Sequence, residues 1–261
     1  MKLATWNVNS LNVRLGHVID WLQANPVDAL CLQELKLPSE KFPLDALQEI
    51  GYQACWAGQK TYNGVAIISK AAPQDVQRNI PGYEDPQQRI IAATLPGSNG
   101  QPVRVISAYC PNGQAVDSDK YAYKLEWFAA LRLWLQQEIA THPDLVILGD
   151  YNVAPTDADV HDPEAWAGGI LVSDAERAAL QAVLDLGLTD TFRLFDQAPK
   201  IFSWWDYRQM SFRRNAGVRI DHILATASLA ARCTECVVDK VPRGWEKPSD
   251  HAPVVAQFQL A

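Results

Sequence analysis

Asp150 and Asn152 stand two residues apart, just past the apolar run Leu145-Val146-Ile147-Leu148. A carboxylate can take a proton from water and a carboxamide can orient a substrate oxygen, so the pair is a candidate for hydrolytic chemistry. If the chain is still extended there, both side chains project from one face. The alternative is an Asx turn that closes the strand, and the segment alone favours neither reading. Glu34 ends a second apolar run, 28–33, in the same way. Buried carboxylates are costly unless paired or bound to a cation, so two acidic strand ends suggest one shared site. Further polar clusters lie at Asn7-Val8-Asn9-Ser10, Tyr109-Cys110-Pro111-Asn112, Arg219-Ile220-Asp221-His222 and Ser249-Asp250-His251. Any one of them reads equally well as a cap or turn. Six clusters at strand termini of one chain point to an assembled site.

The elements that must position these groups alternate between strands and helices. Strands are expected at 2–8, 28–34, 52–56, 64–69, 89–95 and 103–109, with Pro96 to Gly100 as the hairpin connection between the last two. Gly149 loosens the backbone after the strand at 145–148, and Pro155 stops further pairing. A helix with Leu11, Leu15, Val18 and Leu22 on one face ends at Asn25-Pro26, and residues 40–50 are expected to form a short one. Asp117 or Ser118 caps a long helix whose stripe is Tyr121, Leu125, Phe128, Leu135 and Ile139. A polar loop spans 155–172, and Ser173-x-x-Glu176 is a capping box opening a helix that runs to Gly187. Strands at 201–205, 218–224, 234–238 and 252–258 complete the chain. Two packed sheets with helices outside, in one domain over 1–261, fit this order.

Hydrophobic residues make up 48% of the 261, enough for a sizeable core, and 9 Trp are more than a core alone needs. A net charge of −7 argues against a protein that coats nucleic acid non-specifically, without excluding a local basic face. No stretch reads as a signal peptide or membrane span. The 5 Cys give no zinc spacing: Cys233-x-x-Cys236 lacks a second pair, and on a strand its members face opposite sides. A reducing compartment, the cytoplasm, is expected.

In order and spacing, Trp6-Asn7-Val8-Asn9, Gln33-Glu34-Leu35-Lys36, Tyr109-x-Pro111-Asn112, Gly149-Asp150-Tyr151-Asn152, Arg219-Ile220-Asp221 and Ser249-Asp250-His251 resemble the exonuclease III family. These are the DNA-repair nucleases and AP endonucleases of the endonuclease/exonuclease/phosphatase superfamily. The resemblance runs from residue 2 to residue 258. Ser-Asp-His alone is shared with phosphatase and sphingomyelinase branches; its combination with Gln33 to Lys36 and with Phe202 to Arg208 belongs to the nuclease branch. The resemblance implies an α/β fold, the four-layered, DNase I-like α/β sandwich of two packed, mainly antiparallel sheets flanked by helices.

It also implies Mg²⁺, with Mn²⁺ as a substitute, held principally by Glu34 with help from Asn7 and Asp250, and with Asp150, Asn152 and His251 in the same neighbourhood. Oxygen ligands suit such hard cations. By the same resemblance, Asp150 activates the attacking water and Asn152 holds a phosphate oxygen. His251, oriented by Asp221, contacts the scissile phosphate; Tyr109 donates a hydrogen bond there, with a nucleophilic phenolate as the minority alternative. Asn112 is a further phosphate contact. Asn9 stands where some members carry a second metal-binding Asp, and Ala115 where some place a basic residue that reaches into DNA.

The segment 200–219 supplies the basic face: Lys200, Arg208, Arg213, Arg214 and Arg219 against Asp206 alone, interleaved with aromatics. Arginines with aromatics suit phosphate contact plus stacking; a β-hairpin with a solvated basic edge is the plainer alternative. In the resemblance, Trp204, Val218 and Ile220 line the pocket for an extruded abasic sugar. The expected function is a metal-dependent DNA-repair phosphodiesterase, cleaving 5′ to abasic sites and/or working as a 3′-5′ exonuclease and 3′-end-cleaning enzyme. Its substrate is duplex DNA with abasic sites or 3′ ends, and it acts as a monomer. A phosphatase or lipid phosphodiesterase, or a catalytically silent relative, are the alternatives.

Overall fold

Side chains alternate between the two faces of a strand, and this alternation divides each central strand between two cores. In β1 (Lys2–Asn7), Leu3 faces a second sheet while Ala4 and Trp6 face a helix; in β2 (Ala29–Gln33), Cys31 faces the sheet and Leu30 and Leu32 the helix. The computed structural model describes residues 1–97 and 100–260. The first sheet is six-stranded: β11 (Cys233–Val238), β12 (Val254–Phe258), β1, β2, β4 (Val65–Ser69) and β3 (Gln53–Ala57), in that order. The second, also six-stranded, runs β5 (Gln74–Arg78), β6 (Ile90–Pro96), β7 (Pro102–Tyr109), β8 (Leu145–Asp150), β10 (Asp221–Thr226) and β9 (Leu188–Asp190). Among the described residues only β1–β2 and β7–β8 pair in parallel. Each parallel pair is bridged by a helix, α1 (Leu11–Ala24) and α3 (Asp119–Thr141), as parallel neighbours require. Together with α2 (Leu44–Glu49) and α5 (Asp174–Leu184), these helices cover the outer faces, giving the expected four-layered sandwich.

Between the sheets the core is apolar for most of its depth, then turns polar toward one end. Thr5 donates to Gln33 (3.1 Å), and Gln33 donates to Ser107 (3.1 Å), all three fully buried. One step further along the same face stand Asn7, Tyr109, Asp150 and Asp221. These are the carboxyl ends of β1, β7 and β8 and, because β10 runs antiparallel to β8, the beginning of β10, with Asp221 opposite Asp150. Topology therefore gathers clusters that are far apart in sequence.

Several expectations change. The 40–50 helix is α2 alone, preceded by a single 3₁₀ turn at Ser39–Lys41, because Pro43 separates them. The short, polar edge strands β5 and β9 carry too little apolar pattern to be seen in sequence. Residues 201–205 form no strand; Trp204 makes only single bridges to Val218 and His251, and β10 starts at Asp221. The buried face of α3 is Trp127, Phe128, Leu131, Trp134 and Leu135, so Tyr121, Leu125 and Ile139 lie at its margin; Ser118 is the cap. The 155–172 loop holds a short helix, α4 (Pro163–Trp166), and packs Val160, Leu171 and Val172 against Val218 and Ile220. The capping box at Ser173–Glu176 is present. α6 (Ala227–Ala230) follows β10 directly. Gly97 and Gln101 close the β6–β7 hairpin, while residues 98–99 of that connection lie outside the described residues.

The candidate active site

Asp150 is at once turn former and site residue. Its Oδ1 accepts the Asn152 N–H (2.9 Å), and Asn152 has φ +49°, so the chain is not extended and the Asx turn is real. Its Oδ2 nevertheless faces the inter-sheet end, taking the Asn7 amide at 2.9 Å and lying 3.7 Å from His251 Nε2. Gly149 is required by proximity: a Cβ there would lie 1.8 Å from the Ala108 carbonyl oxygen on the neighbouring strand.

Glu34, just past β2, adopts φ +54° and turns its carboxylate into the same space. Oε1 accepts from Asn7 Nδ2 (2.8 Å) and from the Tyr109 hydroxyl (2.9 Å), while Lys36 sits on Oε2 at 2.9 Å. The Asn7 amide nitrogen thus bridges Glu34 and Asp150, and its carbonyl oxygen takes the Asn9 N–H. In this orientation Asn7 spaces the two carboxylates rather than presenting an oxygen to a cation. Burial pushes the Tyr109 hydroxyl well above its ordinary pKa, and the Glu34 and Asp150 charges add to it, so the side chain is a phenol donor at neutral pH. Arg89, stacked 4.8 Å over the ring, pulls only partly the other way.

His251 Nδ1 pairs with Asp221 Oδ2 at 2.8 Å. Burial alone would depress this imidazole, but the Asp221 and Asp150 carboxylates outweigh it and raise its pKa to about 10. Both ring nitrogens are then donors. Asp150 is raised to about 7: burial drives it up, the imidazolium pulls it down and Asp221 pushes it up again. The other Asp221 oxygen is buried without a hydrogen-bond partner among the described residues, leaving the imidazolium as its compensating charge.

Ligand atoms of Glu34, Asp150 and His251 lie within 4.8 Å of one another. Two carboxylates suit a hard divalent cation, and the ammonium already resting on Glu34 marks a place for positive charge. His251, protonated and tied to Asp221, suits a phosphate oxygen better than a metal. Asp250 is not part of this group: its oxygens accept from Trp204 Nε1 and Asn9 Nδ2, each at 2.9 Å. Those bonds, with His251, hold its pKa low against burial. Asn152 is pinned between Cys110 O, to which it donates (3.0 Å), and Asn112 Nδ2, from which it accepts (2.9 Å).

The expected DNA face is only partly as anticipated. Arg219 is buried and paired with Asp159 and Asp190, a structural cation rather than a phosphate contact. Arg208 pairs with Asp206 but stays 85% exposed, and Arg213 and Arg214 are exposed. Val218 and Ile220 do not line an open pocket: both are buried under Leu171 and Val172, with Trp166 and Ile170 packed alongside. The cavity beside Trp204, about 390 Å³, is instead walled by His161, Trp166, Arg208 and Arg214. Sequence reasoning passed over Lys36, Arg89 and Lys124; a lysine on the apolar stripe of α3 was the available signal.

Carboxylates beside an Asp-paired imidazolium, with amide and phenol donors, at one end of a four-layered α/β sandwich, define a hydrolase of phosphate esters. The profile of the Endonuclease/Exonuclease/phosphatase family matches residues 4–251. Exodeoxyribonuclease III of Haemophilus influenzae is 36% identical over 99% of this chain and 100% of its own. Among solved structures, the 3′ phosphatase NExo from Neisseria, bound to product DNA hairpin, is 51% identical with a TM-score of 0.96. An AP endonuclease from Archaeoglobus fulgidus is 40% identical with a TM-score of 0.94, and both matches cover 100% of each chain. The chain belongs to the endonuclease/exonuclease/phosphatase family and, within it, to the exonuclease III group of DNA-repair nucleases.

Proposed function

We propose that residues 1–261 act as a single-domain, monomeric, cytoplasmic Mg²⁺-dependent phosphodiesterase on duplex DNA, working chiefly at 3′ ends. The observation that carries the chemistry is Asp150, buried between Glu34 and the His251–Asp221 pair. With its pKa raised to about 7, Asp150 ionises near neutrality and accepts a proton from the attacking water. The His251 imidazolium donates to the phosphoryl oxygen where negative charge develops, and Asp221 keeps it charged and oriented. Tyr109, whose single hydroxyl proton rests on Glu34 in this structure, donates to the same group once it turns from that carboxylate, and its raised pKa argues against the phenolate alternative. Asn112 and Asn152 hold the remaining phosphate oxygens. Glu34 and Asp150 are the residues that would hold a divalent cation, which would supply Lewis-acid polarisation of the phosphate there. Among the described residues no helix is long and apolar enough to cross a membrane.

Preference for 3′ ends over abasic sites is supported by the loop that covers Val218 and Ile220 and by the similarity to a 3′ phosphatase. A bare sugar would meet Leu171 and Val172 rather than an empty apolar pocket. Matched duplexes carrying a 3′-phosphate, a recessed 3′ end or an internal abasic site distinguish the activities. The expected result is kcat/KM at least about tenfold higher on the 3′ substrates, about 1.4 kcal/mol of transition-state binding. Equal or faster cleavage at the abasic site would overturn the preference. Glu34→Ala should raise the Mg²⁺ concentration needed for half-maximal rate; an unchanged titration would remove Glu34 as principal ligand.

A further inference from the structure

Lys124 occupies a position on α3 where helical periodicity places an apolar side chain. It lies one turn before Trp127 and Phe128 and is as fully buried as they are. An ammonium withdrawn from water is costly unless its N–H groups are met. Here all three are. Nζ donates to the Asn152 carbonyl (2.6 Å), the Asn112 carbonyl (3.1 Å) and the Glu176 carboxylate. The two carbonyls belong to the residues whose side chains also meet, Asn112 Nδ2 on Asn152 Oδ1 at 2.9 Å. Glu176 carries the connection onward: Oε1 accepts the Leu171 N–H (3.1 Å), and Oε2 accepts the Ser173 N–H (3.2 Å). Space around the lysine is tight, since a Cβ on Gly113, at φ +89°, would lie 3.1 Å from Lys124 Cδ.

Stability does not demand such a pair, because replacing a buried ion pair with well-packed neutral groups is often neutral or stabilising. We infer that Lys124 is a positioning residue: by gripping the backbone carbonyls of Asn112 and Asn152 it sets the two carboxamides against the phosphate, and through Glu176 it fixes the 171–173 loop in the same frame. The inference rests on the phosphate-facing roles proposed for Asn112 and Asn152.

Two neutral double variants test it, Lys124→Met/Glu176→Gln and Lys124→Gln/Glu176→Gln, both with the charge pair removed. Only the second keeps N–H donors at position 124. On a 3′-phosphate duplex, the methionine variant is expected to lose kcat by about tenfold or more with KM within roughly twofold of wild type, and the glutamine variant to regain most of that loss. Equal kcat in two folded variants of matched melting temperature would overturn the inference. Should the methionine variant not fold, the glutamine variant decides in an Asn152→Ala background. Its residual kcat loss should shrink there, because positioning a group that has been removed costs nothing further; additive losses would overturn the inference. Wild-type kcat in Asn152→Ala alone would sink the reading of Asn152 instead, which separates the two failures.

Discussion

At Asp150 two functions share one carboxylate, because Oδ1 is spent on the Asn152 N–H while Oδ2 remains in the site. Asp150→Asn keeps the size of the side chain but cannot take a proton from water. Loss of general base catalysis is worth roughly 10²–10⁴-fold, so kcat should fall at least that far, while Kd for DNA measured in Ca²⁺ stays near wild type. Activity within a few-fold of wild type would leave Asp150 as a turn former only. The His251–Asp221 pair makes a pH prediction. Rate should rise as Asp150 ionises, at or below about pH 7 because a bound cation favours the carboxylate, and fall as His251 loses its proton near pH 10. Asp221→Asn removes a charge that raises His251, so the alkaline limb of kcat/KM should move to lower pH. An alkaline limb that stays in place would mean that Asp221 does not hold the imidazolium.

At the scale of elements, the site depends on how closely β7 and β8 approach. A Cβ on Gly149 would overlap the Ala108 carbonyl, and both atoms are backbone-fixed within a parallel pair. Gly149→Ala should therefore cost at least ~3 kcal/mol, at the severe end of single substitutions, seen as a fall in urea midpoint. A change below about 1 kcal/mol, within the range of ordinary substitutions, would show that the strands can part cheaply. The 155–172 segment has the opposite character: it brings its own apolar cluster, so a stretch that looked like a polar connection is a built wall beside Trp204.

For the whole molecule, a net charge of −7 opposes a polyanion, and binding must run through a local patch. With Arg219 withdrawn into the core, that patch is reduced to exposed side chains such as Arg213 and Arg214. Arg213→Ala should weaken binding to all duplexes alike and flatten the log Kd against log salt slope by about one unit. Trp204→Ala should leave the slope alone and cost more on a 3′ end than on intact duplex. Wild-type binding by both variants would place the DNA face elsewhere.

Local chemistry was legible from the chain itself. The polar clusters at strand ends and the helix caps at 117–118 and Ser173 follow from period-two and period-3.6 patterning, which residue types report directly. The choice between a shared face for Asp150 and Asn152 and an Asx turn was made only by the fold. What the chain could not disclose was which charges are used against one another. Arg219 reads as a DNA-binding residue until Asp159, 60 positions away, is found beside it. Lys124 interrupts the apolar stripe of α3, and patterning does not say what its ammonium meets; Asn112, Asn152 and Glu176 close around it. Val218 and Ile220 read as pocket walls until Leu171 and Val172 lie over them. Patterning tells which face a side chain takes, but the fate of a charge or an apolar wall is decided by what a distant segment brings to it. Burial strengthens each such pairing and makes each unpaired group costly, so only the assembled tertiary structure determines which residues remain free for substrate.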